Sequence, residues 1–221
     1  MTEGKQKVNF NSEEVYQFLK GKFVNLEFRP GHLLSESVLV TEFNLSRTPV
    51  RTALSRMARD GLVEIVPRKG AFVRFLSVKD VKEIFEIRQA LEGAAVRKTA
   101  DRLDPRALDR FEQFYLKALD RSHEKLEKIS SVGLEFHQFF IKNAGNERIS
   151  KILDDLLVQL SICRIFFLNQ DLNIQPSRYV ESTREHLSII QALKNGDGEL
   201  AEKKMKEHLA NAEKYTFSFQ S

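Results

Sequence analysis

The sequence predicts a mainly α-helical protein, with an N-terminal winged helix-turn-helix that carries a small β-hairpin wing and a C-terminal antiparallel all-α bundle of about six helices. Two observations lead to this fold class. A basic amphipathic helix over residues 46–60 is followed by two short β-type runs. From residue 77 onward, helical periodicity continues without a convincing strand. We therefore place the domains at residues 1–76 and 77–221.

Three helices are predicted in the N-terminal domain. Residues 11–24 combine a polar start with an apolar stripe, and residues 36–43 form a shorter helix. A tight turn at residues 44–45 precedes the third helix, which is helix-turn-helix spacing. Ser46 is the predicted N-cap of this third helix, because its hydroxyl can accept a free N–H of the first turn.

The third helix has one apolar face. Val50, Leu54 and Met57 recur at positions i, i+4 and i+7, which places them on the same side. Asp60-Gly61 ends the helix, since glycine tolerates the left-handed conformation of a helix C-terminus. The hairpin that follows consists of residues 62–66 and 71–75, joined by a basic turn.

The C-terminal domain is predicted to contain six helices. Turn-forming combinations of Asn, Asp, Gly and Pro separate them, and short turns favour antiparallel packing. The predicted helices cover residues 78–102, 105–128, 130–143, 147–169, 178–195 and 197–215.

Charge and composition bound the function. The net charge is +4, and residues 1–74 contain 12 Lys and Arg against 8 Asp and Glu, so the rest of the chain is neutral. A basic excess confined to one third of the chain predicts a polyanionic partner for that third. One cysteine, no signal-peptide pattern and no long apolar run predict a cytoplasmic protein without a membrane segment.

Several motifs in the first domain occur in a familiar order. They are LEFRPG at 26–31, LSE at 34–36, LSRTPVR at 45–51, DGLV at 60–63 and PRKGAFV at 67–73. This pattern resembles the GntR family of bacterial transcription regulators. In that family the residue after the Glu of the second helix is commonly an Arg that contacts DNA, whereas here Glu36 is followed by Ser37.

The C-terminal domain also contains short motifs in a recognisable order. They are EIR at 86–88 with LE at 91–92, EFH at 135–137, NAGN at 143–146, REH at 184–186, AL at 192–193 with GD at 196–197, and EHL at 207–209. This pattern resembles the ligand-binding bundle of the FadR subgroup, an FCD-type domain, with a helix count like that of the VanR-like branch.

The candidate DNA-binding residues lie on the third helix and on the wing. Arg47, Thr48 and Arg51 occupy the first turns of the helix, where side chains reach base edges, and Arg pairs bidentately with guanine for ~1–3 kcal/mol of discrimination. Lys69 and Gly70 lie at the wing tip, where the lack of a side chain in Gly70 allows close approach to the DNA backbone.

Three of the five histidines are predicted to lie within bundle helices. His186 and His208 are on successive antiparallel helices, so their imidazoles can converge on a divalent metal. The resemblance adds His137 and implies a site of three His and one Asp, with the Asp one turn before the first His. That position is Gly133, which leaves a three-His, water-completed Zn²⁺ or Ni²⁺ site as the prediction.

Arg88 is the candidate effector-binding residue. From spacing alone it forms an i,i+4 salt bridge with Glu92. The resemblance instead places it in an effector pocket, where its guanidinium binds the carboxylate of a small metabolite. Both interpretations stay open at this point.

The leading hypothesis is a non-enzymatic transcription regulator, a repressor that binds a pseudo-palindromic double-stranded DNA operator as a homodimer and responds to a small carboxylate. Two alternatives remain. One is a metalloregulator in which the metal itself is the signal, and the other is a hydrolase with a three-His metal centre.

Overall fold

The computed structural model describes residues 10–24, 27–120, 126–168 and 176–217. The first part of the chain contains α1 (Ser12–Val24), β1 (Leu33–Leu34), α2 (Glu36–Glu42), α3 (Arg47–Arg59), β2 (Val63–Val66) and β3 (Gly70–Val73). The second contains α4 (Val78–Ala100), a 3-10 helix (Pro105–Leu108), α5 (Asp109–Asp120), α6 (Leu126–Asn143), α7 (Glu147–Leu168), α8 (Pro176–Lys194) and α9 (Gly198–Phe217).

The chain divides into two compact units. One comprises Met1–Ser77 together with Leu157–Gln170, and the other comprises Val78–Leu156 together with Asp171–Ser221. The first unit therefore includes the second half of α7, which the sequence assigned wholly to the C-terminal domain. Within this unit Val158 packs into the hydrophobic core, and the Gln159 side chain donates to the carbonyl of Asp60 at 2.8 Å.

Three helices and a small sheet form the winged fold of the first unit. The sheet is antiparallel with strand order β1-β3-β2, so β3 is central. Val50, Leu54 and Met57 of α3 are buried, which confirms the predicted apolar face. The predicted hairpin is also present, but the sequence analysis missed β1, because a two-residue strand is too short to show alternation.

The ends of the helices differ in how they are capped. The side chain of Asn11 accepts from the backbone N–H groups of Glu13 and Glu14, and the Glu14 carboxylate accepts from the N–H of Asn11 in return. Ser46 has the extended backbone of an N-cap but makes no side-chain cap hydrogen bond, so the predicted hydroxyl contact was wrong. Gly61 has φ of +71°, as expected for a residue that ends a helix.

Six α-helices, α4 to α9, follow the winged fold in the described residues, as the sequence predicted. In the second unit α9 packs against α4 and α8, while α5 packs against α8 and α6 against α4. Two predicted boundaries were wrong. Residues 105–108 form a separate 3-10 turn that Asp104 caps by accepting from the N–H of Arg106, and α6 begins at Leu126, within the predicted helix 105–128. The core of this unit is aromatic and aliphatic, with Phe111, Tyr115 and Phe136 among its buried rings.

None of the helices in the described segments is long and apolar enough to cross a membrane.

Candidate DNA interface and candidate metal centre

The first turns of α3 carry an exposed polar surface. Arg47, Thr48 and Arg51 are all exposed, while Val50 and Leu54 on the other side of the helix are buried in the core. Neither Arg47 nor Arg51 forms an ion pair with another residue in the described parts of the chain. Both guanidinium groups are therefore available to a phosphate or a base edge.

Arg56, one turn further along α3, has a different environment. Its guanidinium forms an ion pair with Glu13, lies 3.9 Å from the centroid of the Tyr16 ring and is 3.8 Å from a carboxylate oxygen of Asp60. Tyr16 also donates to Asp60 at 2.7 Å. Arg56 consequently joins α1 to α3 inside the first unit, and we assign it to folding rather than to DNA.

The wing tip is exposed. Lys69 lies in the turn between β2 and β3, Gly70 is the first residue of β3, and both residues are exposed. Arg68 and Gly70 have φ of +64° and +113°, so the turn needs the left-handed region and favours glycine at the second of these positions. Ser37 at the start of α2 is also exposed, and its hydroxyl is 2.8 Å from that of Ser35.

Three histidines from three helices meet in the second unit. His137 of α6, His186 of α8 and His208 of α9 are all buried. The Nε2 atom of His208 lies 3.2 Å from Nε2 of His186 and 3.2 Å from Nε2 of His137. Each of the three rings offers one nitrogen, and these nitrogens all lie within 4.8 Å of one another. The three predicted ligands are therefore brought together, although they are far apart in the sequence.

Two carboxylates contact the outward-facing nitrogens of this cluster. His137 Nδ1 is 2.6 Å from Oε2 of Glu92, and His208 Nδ1 is 2.7 Å from Oε2 of Glu185. An ionised carboxylate only accepts hydrogen bonds, so in each case Nδ1 is the donor. In a neutral imidazole the proton on Nδ1 leaves Nε2 as a lone pair, and both lone pairs then face the centre of the cluster.

Those lone pairs indicate that the cluster favours a cation. Two unprotonated Nε2 atoms held 3.2 Å apart, on His137 and His208, repel each other unless a positive charge lies near both. Two nitrogen ligands at ~2.1 Å from a tetrahedral metal lie about 3.4 Å apart, which is close to the observed spacing. Neutral imidazoles also suit Zn²⁺ and Ni²⁺. The residues thus fit a divalent transition metal.

Burial keeps two of the rings in the ligating form. It lowers the pKa of His186 well below the usual value, with neighbouring positive charge acting in the same direction. Burial also lowers the pKa of His208 to about 4, although the hydrogen bond to Glu185 opposes this shift. Both rings are therefore neutral at pH 7, as metal coordination requires.

The two carboxylates keep their charged form, whereas the two rings are neutral. Burial opposes ionisation of Glu92, but the charges and hydrogen bonds of Arg88 and His137 outweigh it and lower the pKa of Glu92 to about 2. Burial likewise opposes ionisation of Glu185, and hydrogen bonds, led by that from His208, lower its pKa to about 2. Both glutamates are thus ionised near pH 7.

Gly133 faces the cluster with room for a small side chain. Among the described residues, a Cβ atom built on Gly133 would meet only the Cε1 atom of His186 within 4 Å, at 3.6 Å. His186 Nδ1 and the Tyr115 hydroxyl are both buried without a hydrogen-bond partner among the described residues. Glu135, two residues before His137, is exposed, as expected for a residue on another face of the same helix.

Arg88 lies beside this cluster. Its Nε donates to Oε1 of Glu92 at 2.6 Å, and the other oxygen of the same carboxylate accepts from His137. The i,i+4 salt bridge is therefore present, and it is buried. No described residue forms a hydrogen bond with the two Nη groups of Arg88, so the guanidinium retains donors for a further carboxylate.

Sequence reasoning missed the roles of Glu92 and Glu185. Glu92 was interpreted only as the partner of Arg88, and no local pattern signals its contact with His137, which is 45 residues away. Glu185 directly precedes His186, yet it contacts His208 on the next helix. Helical spacing gives the face that a residue occupies, but it does not give the partner across a helix interface.

The two halves of the chain match two known families. Residues 11–73 match the family described as "Bacterial regulatory proteins, gntR family", and residues 83–211 match the family described as "FCD domain". The second match alone spans more than half of the chain. The chain belongs to the GntR family and carries an FCD domain. This regulator is therefore a DNA-binding transcription regulator, and its family consists of regulators rather than enzymes, so the hydrolase alternative was wrong.

Similar proteins agree with this assignment. The regulator is 28% identical over 199 residues to the HTH-type transcriptional repressor RspR of Escherichia coli (strain K12). The alignment covers 90% of this chain and 85% of that protein. It is 29% identical over 197 residues to the uncharacterized HTH-type transcriptional regulator YdhC of Bacillus subtilis (strain 168), covering 88% and 86%.

Solved structures share the fold. The structure of E. coli McbR/YncC aligns with a TM-score of 0.79 at 21% identity, covering 95% of this chain and 98% of that one. A putative transcriptional regulator GntR from Rhodococcus sp. RHA1 aligns with a TM-score of 0.68 at 27% identity, covering 93% and 97%.

Proposed function

We propose that this regulator is a cytoplasmic repressor whose affinity for DNA is controlled by a small carboxylate metabolite bound in the FCD domain, together with a divalent metal held by three histidines. The observation that carries the proposal is the convergence of the Nε2 atoms of His137, His186 and His208. The similarity to RspR, which is described as a repressor, supports repression rather than activation of transcription.

DNA recognition is assigned to the exposed face of α3 and to the wing. Arg47, Thr48 and Arg51 contact base edges, while Lys69 and Gly70 contact the sugar-phosphate backbone. A single winged unit makes few contacts, so we propose a homodimer that places two α3 helices one DNA turn apart, ~34 Å, on a pseudo-palindromic operator.

Effector binding is assigned to the three-histidine cluster and Arg88. When bound, Zn²⁺ or Ni²⁺ supplies a positive charge at which an anionic oxygen binds. The two Nη groups of Arg88 orient the same carboxylate by charge-assisted hydrogen bonds. His186 and His208 are buried, and charge interactions in such a low-dielectric environment are stronger than in bulk water. The effector changes DNA affinity by binding one dimer geometry more tightly than another.

DNA binding measured in three states tests the proposal. The operator is first selected from a random DNA library. Its affinity is then measured, at constant salt, for three forms of the protein: metal-free, loaded with Zn²⁺ or Ni²⁺, and loaded in the presence of each of a panel of small mono- and dicarboxylic acids. We expect at least one acid to change the affinity of the loaded wild type and not that of Arg88→Met. Insensitivity to every acid, with and without metal, would contradict the proposal.

The alternative regulator senses the metal itself. It is favoured by the same cluster, because three buried imidazoles bind a metal without help from an effector. In that case metal alone switches DNA binding fully, and Arg88→Met leaves the switch intact because Arg88 then serves only as the partner of Glu92.

A further inference from the structure

Two of the three cluster histidines are held by the same kind of arrangement. In the first, Arg88 Nε donates to Oε1 of Glu92 at 2.6 Å, and Oε2 of Glu92 accepts from His137 Nδ1 at 2.6 Å. All three side chains are buried. A guanidinium, a carboxylate and an imidazole thus form a continuous hydrogen-bonded chain that ends at the cluster.

The second arrangement comes from different helices. Arg178 donates from Nη1 and Nη2 to the two oxygens of Glu185 at 3.2 and 3.1 Å, and Glu185 accepts from His208 Nδ1 at 2.7 Å. Asn211 donates to Glu185 at 2.8 Å as well. The order of groups, guanidinium then carboxylate then imidazole, repeats that of Arg88, Glu92 and His137.

We propose that Glu92 and Glu185 are positioning residues of the cluster, each fixing one imidazole in the tautomer that carries its proton on Nδ1 and presents the Nε2 lone pair to a metal. A carboxylate cannot donate, so it selects the protonated Nδ1. The arginine behind each carboxylate fixes its orientation, and carboxylate contacts of this kind orient histidine ligands in metal sites.

His186 provides an internal comparison. Its Nδ1 is buried without a hydrogen-bond partner among the described residues, so no carboxylate orients this ring. Two ligands are therefore preset by carboxylates before metal arrives, whereas the His186 ring is held by its packing against Tyr115 and Phe136 and by the 3.2 Å contact of its Nε2 with that of His208. The metal role rests on the proposed function, whereas the tautomers of His137 and His208 are properties of the metal-free protein.

The tautomers can be measured without metal. Long-range ¹H–¹⁵N correlation spectra of the imidazoles, recorded on full-length protein after chelation, distinguish protonated Nδ1 from protonated Nε2. We expect protonated Nδ1 for His137 and His208 in the wild type. Glu92→Gln should alter the pattern of His137 alone and Glu185→Gln that of His208 alone, because a glutamine amide can donate to Nδ1 as well as accept from it.

Metal titration tests the consequence. With Zn²⁺ or Ni²⁺ alone and a competing chromophoric chelator, each Glu→Gln variant should bind ~10- to 100-fold more weakly than the wild type, the usual effect of removing such a partner. Glu207→Gln is the matched control, since Glu207 is exposed on α9 and pairs with Lys204 instead of a histidine. Its metal affinity should equal that of the wild type.

The outcomes separate the two claims. Mixed or Nε2-protonated tautomers in the wild type would overturn the positioning role, and this result needs no variant to fold. Wild-type metal affinity in both folded Glu→Gln variants would also overturn it. Expected tautomers in a wild type that binds neither metal would support the orientation by Glu92 and Glu185 while contradicting the proposed metal function.

Discussion

Replacement of Gly133 by Asp should tighten metal binding. Among the described residues, the Cβ of an aspartate at this position meets only Cε1 of His186 within 4 Å, at 3.6 Å, which is an ordinary van der Waals contact. The Cβ therefore fits beside His186 without a clash, and we expect the carboxylate that it carries to reach the cluster. Three neutral imidazoles and one carboxylate make a four-ligand set that also neutralises half of the charge of the cation.

The expected gain follows from this geometry. A carboxylate close to a divalent cation is strongly attracted, while desolvation of the buried side chain offsets much of that attraction. We expect at least a tenfold gain in Zn²⁺ affinity, equal to about 1.4 kcal/mol. The helix itself tolerates the change, because Gly is a poorer helix former than Asp by a few tenths of a kcal/mol, roughly.

Isothermal titration of metal-free protein with Zn²⁺, using a competing chelator, measures the gain. Gly133→Asn is the matched control, since it has nearly the same volume without the charge, and Gly133→Ala controls for the helix. Equal affinities of the Asp and Asn variants would refute the reasoning, because they would show that position 133 does not face the metal.

Three further predictions concern DNA, assembly and the core. Arg51→Ala should weaken binding to the selected operator by ~1–3 kcal/mol in gel-shift titrations and relax the preference for one base. Arg59→Ala, at the far end of α3, should leave every base preference unchanged. Unchanged affinity and specificity in Arg51→Ala would rule out the docking of α3 on the operator. Light scattering at micromolar protein should give about twice the 25.5 kDa of one chain, and a monomer with and without DNA would exclude the dimer. Met57→Ala, at a fully buried site, should lower the free energy of unfolding by ~2–5 kcal/mol in urea titrations, and a loss below 1 kcal/mol, roughly, would contradict its place in the core.

The winged fold was readable from the sequence because its signals are local. Each signal lies within a short stretch of sequence. The apolar face of α3 spans about two helical turns, glycine marks the end of the helix, and the hairpin turns within a few residues. All three features were predicted. The two-residue strand β1 was missed, because it exists only through its pairing with β3, in which Leu33 lies opposite Phe72, a residue far along the chain. The packing of Val158 with the winged core was missed for the same reason.

The candidate metal centre was only partly readable. Helical spacing and the family resemblance identified His137, His186 and His208, and the structure brings them together. The partners of their Nδ1 atoms were not predicted, because Glu92 and Glu185 reach them across helix interfaces. Spacing along one helix predicts i,i+4 pairs, whereas contacts between helices depend on their packing.

The metal content of the purified protein tests the central claim most directly. Untagged protein, prepared without chelator and without nickel chromatography, is analysed for all transition metals by mass spectrometry, beside a His186→Gln/His208→Gln variant shown to be folded by circular dichroism. We expect Zn or Ni close to one ion per chain in the wild type and a large loss in the variant, because two of the three imidazole ligands are removed. A wild type that contains no metal and takes up none from added Zn²⁺ or Ni²⁺, or a variant that retains as much as the wild type, would contradict the three-histidine centre.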